Sequence, residues 1–187
     1  MLDDLLDRLF QSRERLLVAL EMLPDEALWQ SGAIGEWSIV DLLNVLTAWD
    51  SELVTAMMRL EKGQKPDKLL AAMVDREAFA ARVVVQGRER NLDAIFDDLQ
   101  GSRMHVEEWL EFFSERQLTN SKQFKWFEGK SLLQVVEAFS TTQEKAYLPM
   151  LEAFAQNWQD ETETADLPHI IPLTAVNPLE NNDEQSD

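Results

Sequence analysis

The sequence predicts an all-α fold, a single four-helix bundle, on three observations. Four long stretches repeat apolar residues at three- and four-residue steps, which gives each one apolar helix face. Capping and stop residues fall mostly between these stretches. The one β-branched run, Val83-Val84-Val85, has no partner run to pair with and lies between helix-forming segments. At 187 residues the chain suits one domain or one domain with a tail, and a 45% hydrophobic content supplies its core.

The first helix is expected from Leu2 to about Leu23, on the stripe Leu2, Leu5, Leu6, Leu9, Leu16, Leu17 and Leu20, and Pro24-Asp25 stops it. Ser31-Gly32 and Gly35 mark a loop. Ser38 with Asp41 three residues on then resembles a capping box for a second helix reaching about Lys62, ended by Gly63 and Pro66. The third helical region, about 74–113, is expected to break between Gly87 and Asn91, with Asn91 capping the part that runs to Phe113. Ser131 with Gln134 is a second capping box, opening a fourth helix over 131–158 that Pro149 should kink. Four such helices bury their faces most simply against one another. The bundle is assigned to 1–158 and an acidic, Pro-containing, loosely packed tail to 159–187. No internal repeat is evident by inspection.

Composition excludes several function classes. There is no cysteine, hence no disulfide, thiolate metal site or cysteine nucleophile. The opening residues are acidic where a signal peptide needs a basic stretch, and no window is long and apolar enough to span a bilayer, so a soluble cytoplasmic protein is expected. The formal charge is −18, and the segment from Asp160 onward holds eight acids and no Lys or Arg. The body is acidic too, so direct binding to nucleic acid or to an anionic membrane is not expected. No Gly-rich phosphate loop, Gly-x-Ser-x-Gly elbow or His-Glu-x-x-His motif occurs. Glu107, Glu108 and Glu111 read as a solvated face, and Asp50 and Glu52, two apart, fall on different faces of one helix.

The run from Gly35-Glu36-Trp37-Ser38 through Asp41 to Trp49-Asp50 resembles the DinB-like helical bundles. Their second helix often opens with Trp-Ser/Thr-x-x-Asp-x-x-x-His-Leu-x-x-Trp. Asp75-Arg76-Glu77-Ala78-Phe79-Ala80 and Tyr147-Leu148-Pro149-Met150-Leu151 look closest to the ClbS/DfsB branch, and the resemblance covers roughly 1–158. It implies an up-up-down-down bundle, and in many members a divalent metal held by three His. One His comes from the second helix and two from the fourth at i, i+4 spacing.

The corresponding positions here are read as Asn44, Gln143 and Tyr147, none of them His; the only histidines are His105 and His169. No metal and no cofactor are therefore expected. ClbS/DfsB-like proteins are associated with protection against an electrophilic, DNA-damaging natural product, and some hydrolyse a strained cyclopropane without metal. By resemblance, Tyr147 becomes a proton donor, since tyrosine is a poor base at neutral pH. Asn44 and Gln143 become orienting amides, and Trp37, Trp49 and Trp126 the apolar wall of a small-molecule pocket. Two alternatives stand beside this reading. The polar trio is a self-satisfied network with the Trp residues closing the core, or the chain is a non-catalytic interaction bundle, for which a homodimer is one form left open.

Overall fold

The structure is a computed structural model that describes residues 1–165. Its elements are α1 (Leu2–Glu21), α2 (Asp25–Leu28), α3 (Ile39–Glu61), α4 (Asp67–Val74), α5 (Arg76–Gly87), α6 (Leu92–Glu111), α7 (Glu115–Thr119), a 3-10 turn (Lys125–Phe127), α8 (Leu132–Phe139) and α9 (Thr141–Ala165). Among the described residues there is no strand, only a lone bridge between Ile34 and Trp37 that pins the loop before α3. The fold is all-α, and no described helix is long and apolar enough to cross a membrane.

Local chemistry sets most helix starts. At α3, Ser38 and Asp41 close a reciprocal capping box at 3.1 and 3.0 Å, and Ser131 with Gln134 does the same for α8. The Asn91 carboxamide accepts from the Ala94 amide at 2.8 Å and begins α6. Val83-Val84-Val85 is helical, within α5. Three expectations need correction. The segment before α6 is two helices, divided at Asp75, whose carboxylate caps α5 through the Ala78 amide. The fourth helix is also two, α8 and α9, and the break lies at Ser140 (φ −123°, ψ −93°), while Pro149 stays inside α9. α9 continues past Trp158 to Ala165, so the first residues assigned to the tail are helical; the rest, 166–187 with His169, lie outside the described residues.

In the packing, α3 lies along α6 and α5, and α1 lies along α9. Two apolar clusters form the core. One takes Leu5 and Leu9 of α1 with Val106 and Leu110 of α6; the other takes Leu16 and Leu20 of α1 with Ile95 and Leu99 of α6. Between the clusters sits a charged layer, Arg13, Asp50, Arg103 and Glu144, one residue from each of the four longest helices and each 1–6% exposed.

That arrangement exposes a repeat that inspection of the sequence misses. The buried face of α1 (Leu5, Leu9, Ser12, Arg13, Leu16, Leu20) recurs ninety residues later on α6 as Ile95, Leu99, Ser102, Arg103, Val106 and Leu110. Leu2/Leu92, Asp3/Asp93, Glu21/Glu111 and Leu28/Leu118 are identical at the same offset, and the short helices α2 and α7 follow in turn. The hydrogen bonds follow the same symmetry. Arg13 donates to the Leu99 carbonyl, and Arg103 donates to the Leu9 carbonyl at 3.0 Å. Asp50 of α3 then matches Glu144 of α9, twelve residues after the Ser38 cap and thirteen after the Ser131 cap, and the break at Ser140 falls within the longer of the two spacings. The α4–α5 segment joins the halves and has no counterpart after α9 among the described residues.

Candidate functional site

The charged layer is the most constrained polar feature of the protein. Arg13 donates to Glu144 Oε1 at 2.8 Å and to Asp50 Oδ2 at 3.0 Å; Arg103 donates to the same two oxygens at 2.9 and 3.2 Å. Two guanidiniums and two carboxylates make the layer formally neutral, as burial demands. Asp50 Oδ1 and Glu144 Oε2 remain without a hydrogen-bond partner. Burial disfavours the Glu144 charge, but Arg103 and Arg13 outweigh that and hold its carboxyl below the ordinary glutamate value. The two carboxylates line no cleft, whereas Arg13 and Arg103 border a surface groove of about 400 Å³ between α1 and α6 that holds none of the site residues expected from the sequence.

Beside the charged layer, α3, α5 and α9 leave an open cleft of about 470 Å³. Trp37, Trp49, Val45 and Tyr147 supply its apolar lining, and Gln143 and Arg76 are among its polar groups. Trp49 is buried, with ring centroids 4.3 Å from Phe79 and 4.6 Å from Phe139. Trp37 and Tyr147 stand 6.0 Å apart at 35°. Arg76 lies 4.5 Å over the Phe139 ring, a cation–π contact that holds its charge at the cleft. The Gln143 amide reaches only the Ala138 carbonyl, at 3.5 Å, and among the described residues the Tyr147 hydroxyl makes no hydrogen bond. Both therefore keep capacity for a bound molecule.

Two expected members lie elsewhere. Asn44 turns away from Gln143 and Tyr147. Its amide donates to Val40 O at 2.9 Å and accepts from Arg90 at 3.0 Å, and it packs so tightly on Gly87 that a Cβ there would lie 2.7 Å from Asn44 Nδ2. The α3 residue that does face Gln143 and Tyr147 is Val45, four positions after Asp41, where the DinB-like pattern has its His. Reading that position as Asn44 is thus one residue short. Trp126 does not line the cleft either: it is partly buried against the apolar cluster that contains Trp49, with Lys125 Nζ 5.7 Å from its ring.

The donor set does not fit a three-His metal centre. Val45 offers no donor atom, Gln143 and Tyr147 offer an amide and a phenol, and among the described residues no three His, Cys, Asp or Glu side chains converge. His105 is exposed on α6, its ring nitrogen 2.9 Å from Glu108.

Glu52 is the group that sequence reasoning passed over. It is half-buried on α3, its Oε2 has no hydrogen-bond partner, and burial pushes its pKa up despite Lys68 and Arg82 nearby. Burial raises Glu107 likewise, against Arg103 and Arg13. These shifts predict the pH profile of stability. Glu144, depressed, stabilises the fold fully above its unfolded value near 4.5, and that contribution is lost as pH falls through the folded value. Glu52 and Glu107, raised, cost stability near neutrality, and the cost is relieved as pH falls through their folded values. Urea-unfolding free energy should therefore rise modestly from neutrality toward pH 4.5 and fall steeply below it. In Glu144→Gln the steep acid limb should flatten; an unchanged limb would contradict the assignment.

Comparison with protein-family models, with curated proteins and with solved structures finds no match to this chain.

Proposed function

We propose that the chain is a DinB-like bundle of the ClbS/DfsB type that captures a reactive, electrophilic small molecule in the aromatic cleft and opens it by hydrolysis without a resident metal. The observation that carries this reading is the cleft itself. An unbonded phenol, a free amide oxygen and a guanidinium converge there on a space walled by Trp37 and Trp49. A self-satisfied polar core would have left these groups paired and the space filled.

The chemistry follows from the side chains. The indole walls take up the apolar body of the ligand, and Arg76 with Gln143 orients its polar part. As the water oxygen bonds to one ring carbon, the strained C–C bond breaks, Tyr147 donates its proton to the atom that receives the bond's electron pair, and the proton that the attacking water loses restores the phenol. A preorganised donor of this kind contributes most where water is displaced. Sequestration without turnover uses the same walls and needs no Tyr147 proton.

The test uses an activated spirocyclopropane electrophile, with its consumption followed by mass spectrometry and its binding by tryptophan fluorescence. Tyr147→Phe should keep binding within about threefold and slow consumption by about 100-fold, the usual contribution of a positioned acid. Turnover unaffected by the substitution removes Tyr147 from the mechanism. Binding with no turnover in the unsubstituted protein leaves sequestration as the function.

A further inference from the structure

The α4–α5 segment forms two walls. One side closes the aromatic cleft; the other, with α3 and α6, encloses a larger cleft of about 620 Å³. Its character differs. Ala48, Ala71, Phe79 and Val83 give it an apolar floor, and three of the seventeen basic residues in this acidic chain line it: Lys68, Arg82 and Arg90.

These three cations are not equivalent. Arg90 is committed, bonded to Asp98, to the Ala94 carbonyl and to Asn44. Asn44 is itself buried against Gly87, so this corner is rigid. Lys68 and Arg82, from α4 and α5, close no ion pair among the described residues and act on Glu52 only through space. Glu52 lies in the same cleft with one carboxylate oxygen out of water and unpartnered. With Arg90 paired to Asp98, Lys68 and Arg82 face the single carboxylate of Glu52, which leaves the cleft one formal positive charge beside its apolar floor on a protein of formal charge −18.

We propose that this cleft is a second ligand site, for a small organic anion whose apolar body lies on Ala48, Ala71, Phe79 and Val83 and whose carboxylate is held between Lys68 and Arg82. Glu52 is the built-in competitor for those cations and, when protonated, a donor to the ligand. The aromatic cleft, by contrast, takes an uncharged electrophile, so the two sites are chemically distinct.

Octanoate tests the assignment by isothermal titration calorimetry on the full chain, with octylammonium as the matched cation. Octanoate should bind saturably, with octylammonium at least tenfold weaker. Lys68 and Arg82 are exposed, so their removal leaves the core intact. Lys68→Met and Arg82→Met should each weaken octanoate about fivefold and together more than twentyfold. Arg15→Met, at the remote α1–α9 surface, should change nothing. Glu52→Gln should bind octanoate as tightly as the native chain or more tightly. The proposal is overturned by no saturable octanoate binding, by equal octylammonium affinity, by a more than threefold loss in Glu52→Gln, or by weakening in Arg76→Met in place of Lys68→Met and Arg82→Met.

Discussion

Arg103→Met should lower the folding stability of this chain by about 3–5 kcal/mol, the usual cost of stranding a buried charge. Urea denaturation with matched m-values measures it. The substitution removes both of the Arg103 bonds to Asp50 and Glu144 and the bond to the Leu9 carbonyl. Arg13 is then left to neutralise two carboxylates, each of which already has one oxygen without a hydrogen-bond partner. Against a typical total of about 5–15 kcal/mol the loss is large, so the variant remains folded but melts early. Because the two halves repeat, Arg13→Met should cost a comparable amount. A loss below about 1 kcal/mol in both would mean that water reaches the layer and screens it.

The same physics gives an opposite result when all four charges go together. Arg13→Met, Asp50→Leu, Arg103→Met and Glu144→Leu in one chain strand no charge, and the surrounding clusters are already apolar. Stability should return to within about 2 kcal/mol of the native value or exceed it. The layer then serves register rather than stability. With two similar halves, α1 and α6 present nearly the same buried face, and an apolar core alone would tolerate exchanged or slipped pairings. A guanidinium that must meet two specific carboxylates penalises those alternatives. The signature is a quadruple variant as stable as the native chain but with broadened amide resonances or a second populated conformer.

The helices themselves were legible because apolar periodicity and capping chemistry are local. Ser38, Asn91 and Ser131 announce their helices within three residues. The break at Ser140 was not, since Leu132 to Phe139 and Thr141 onward share one helical pattern, and only the packing of α8 on α7 and α3 separates them. The charged layer was illegible for a related reason. Arg13 and Asp50 lie thirty-seven residues apart and Arg103 and Glu144 forty-one, so no window holds both partners. A signal did exist, in the Ser-Arg pairs Ser12-Arg13 and Ser102-Arg103 at the ninety-residue offset that also repeats Leu9 and Leu20. Trp37, Trp49, Gln143 and Tyr147, named from the resemblance and from their aromatic character, line one cleft. Asn44 does not, because one residue along α3 is a 100° turn, enough to move a side chain from one cleft to the next.

The second large effect belongs to Trp49, where core and candidate site are the same atoms. Trp49→Ala should cost about 3–5 kcal/mol, as for other fully buried aromatics. The side chain is 2% exposed, and its removal leaves Phe79 and Phe139, now 4.3 and 4.6 Å from its ring, facing a void. The void also opens into the cleft, so the wall that binds the ligand is lost with the stability. Trp49→Phe separates the two roles. It retains a ring between Phe79 and Phe139 and should cost only about 1–2 kcal/mol, while still shortening the wall that a ligand would cover. If Trp49 lines a working site, Trp49→Phe weakens electrophile binding more than tenfold at nearly native stability. If binding follows stability alone, falling only in Trp49→Ala, Trp49 is core and nothing more. Trp126→Ala is the matched control, since Trp126 is only partly buried and lines neither cleft; it should leave ligand affinity unchanged while costing less stability than Trp49→Ala.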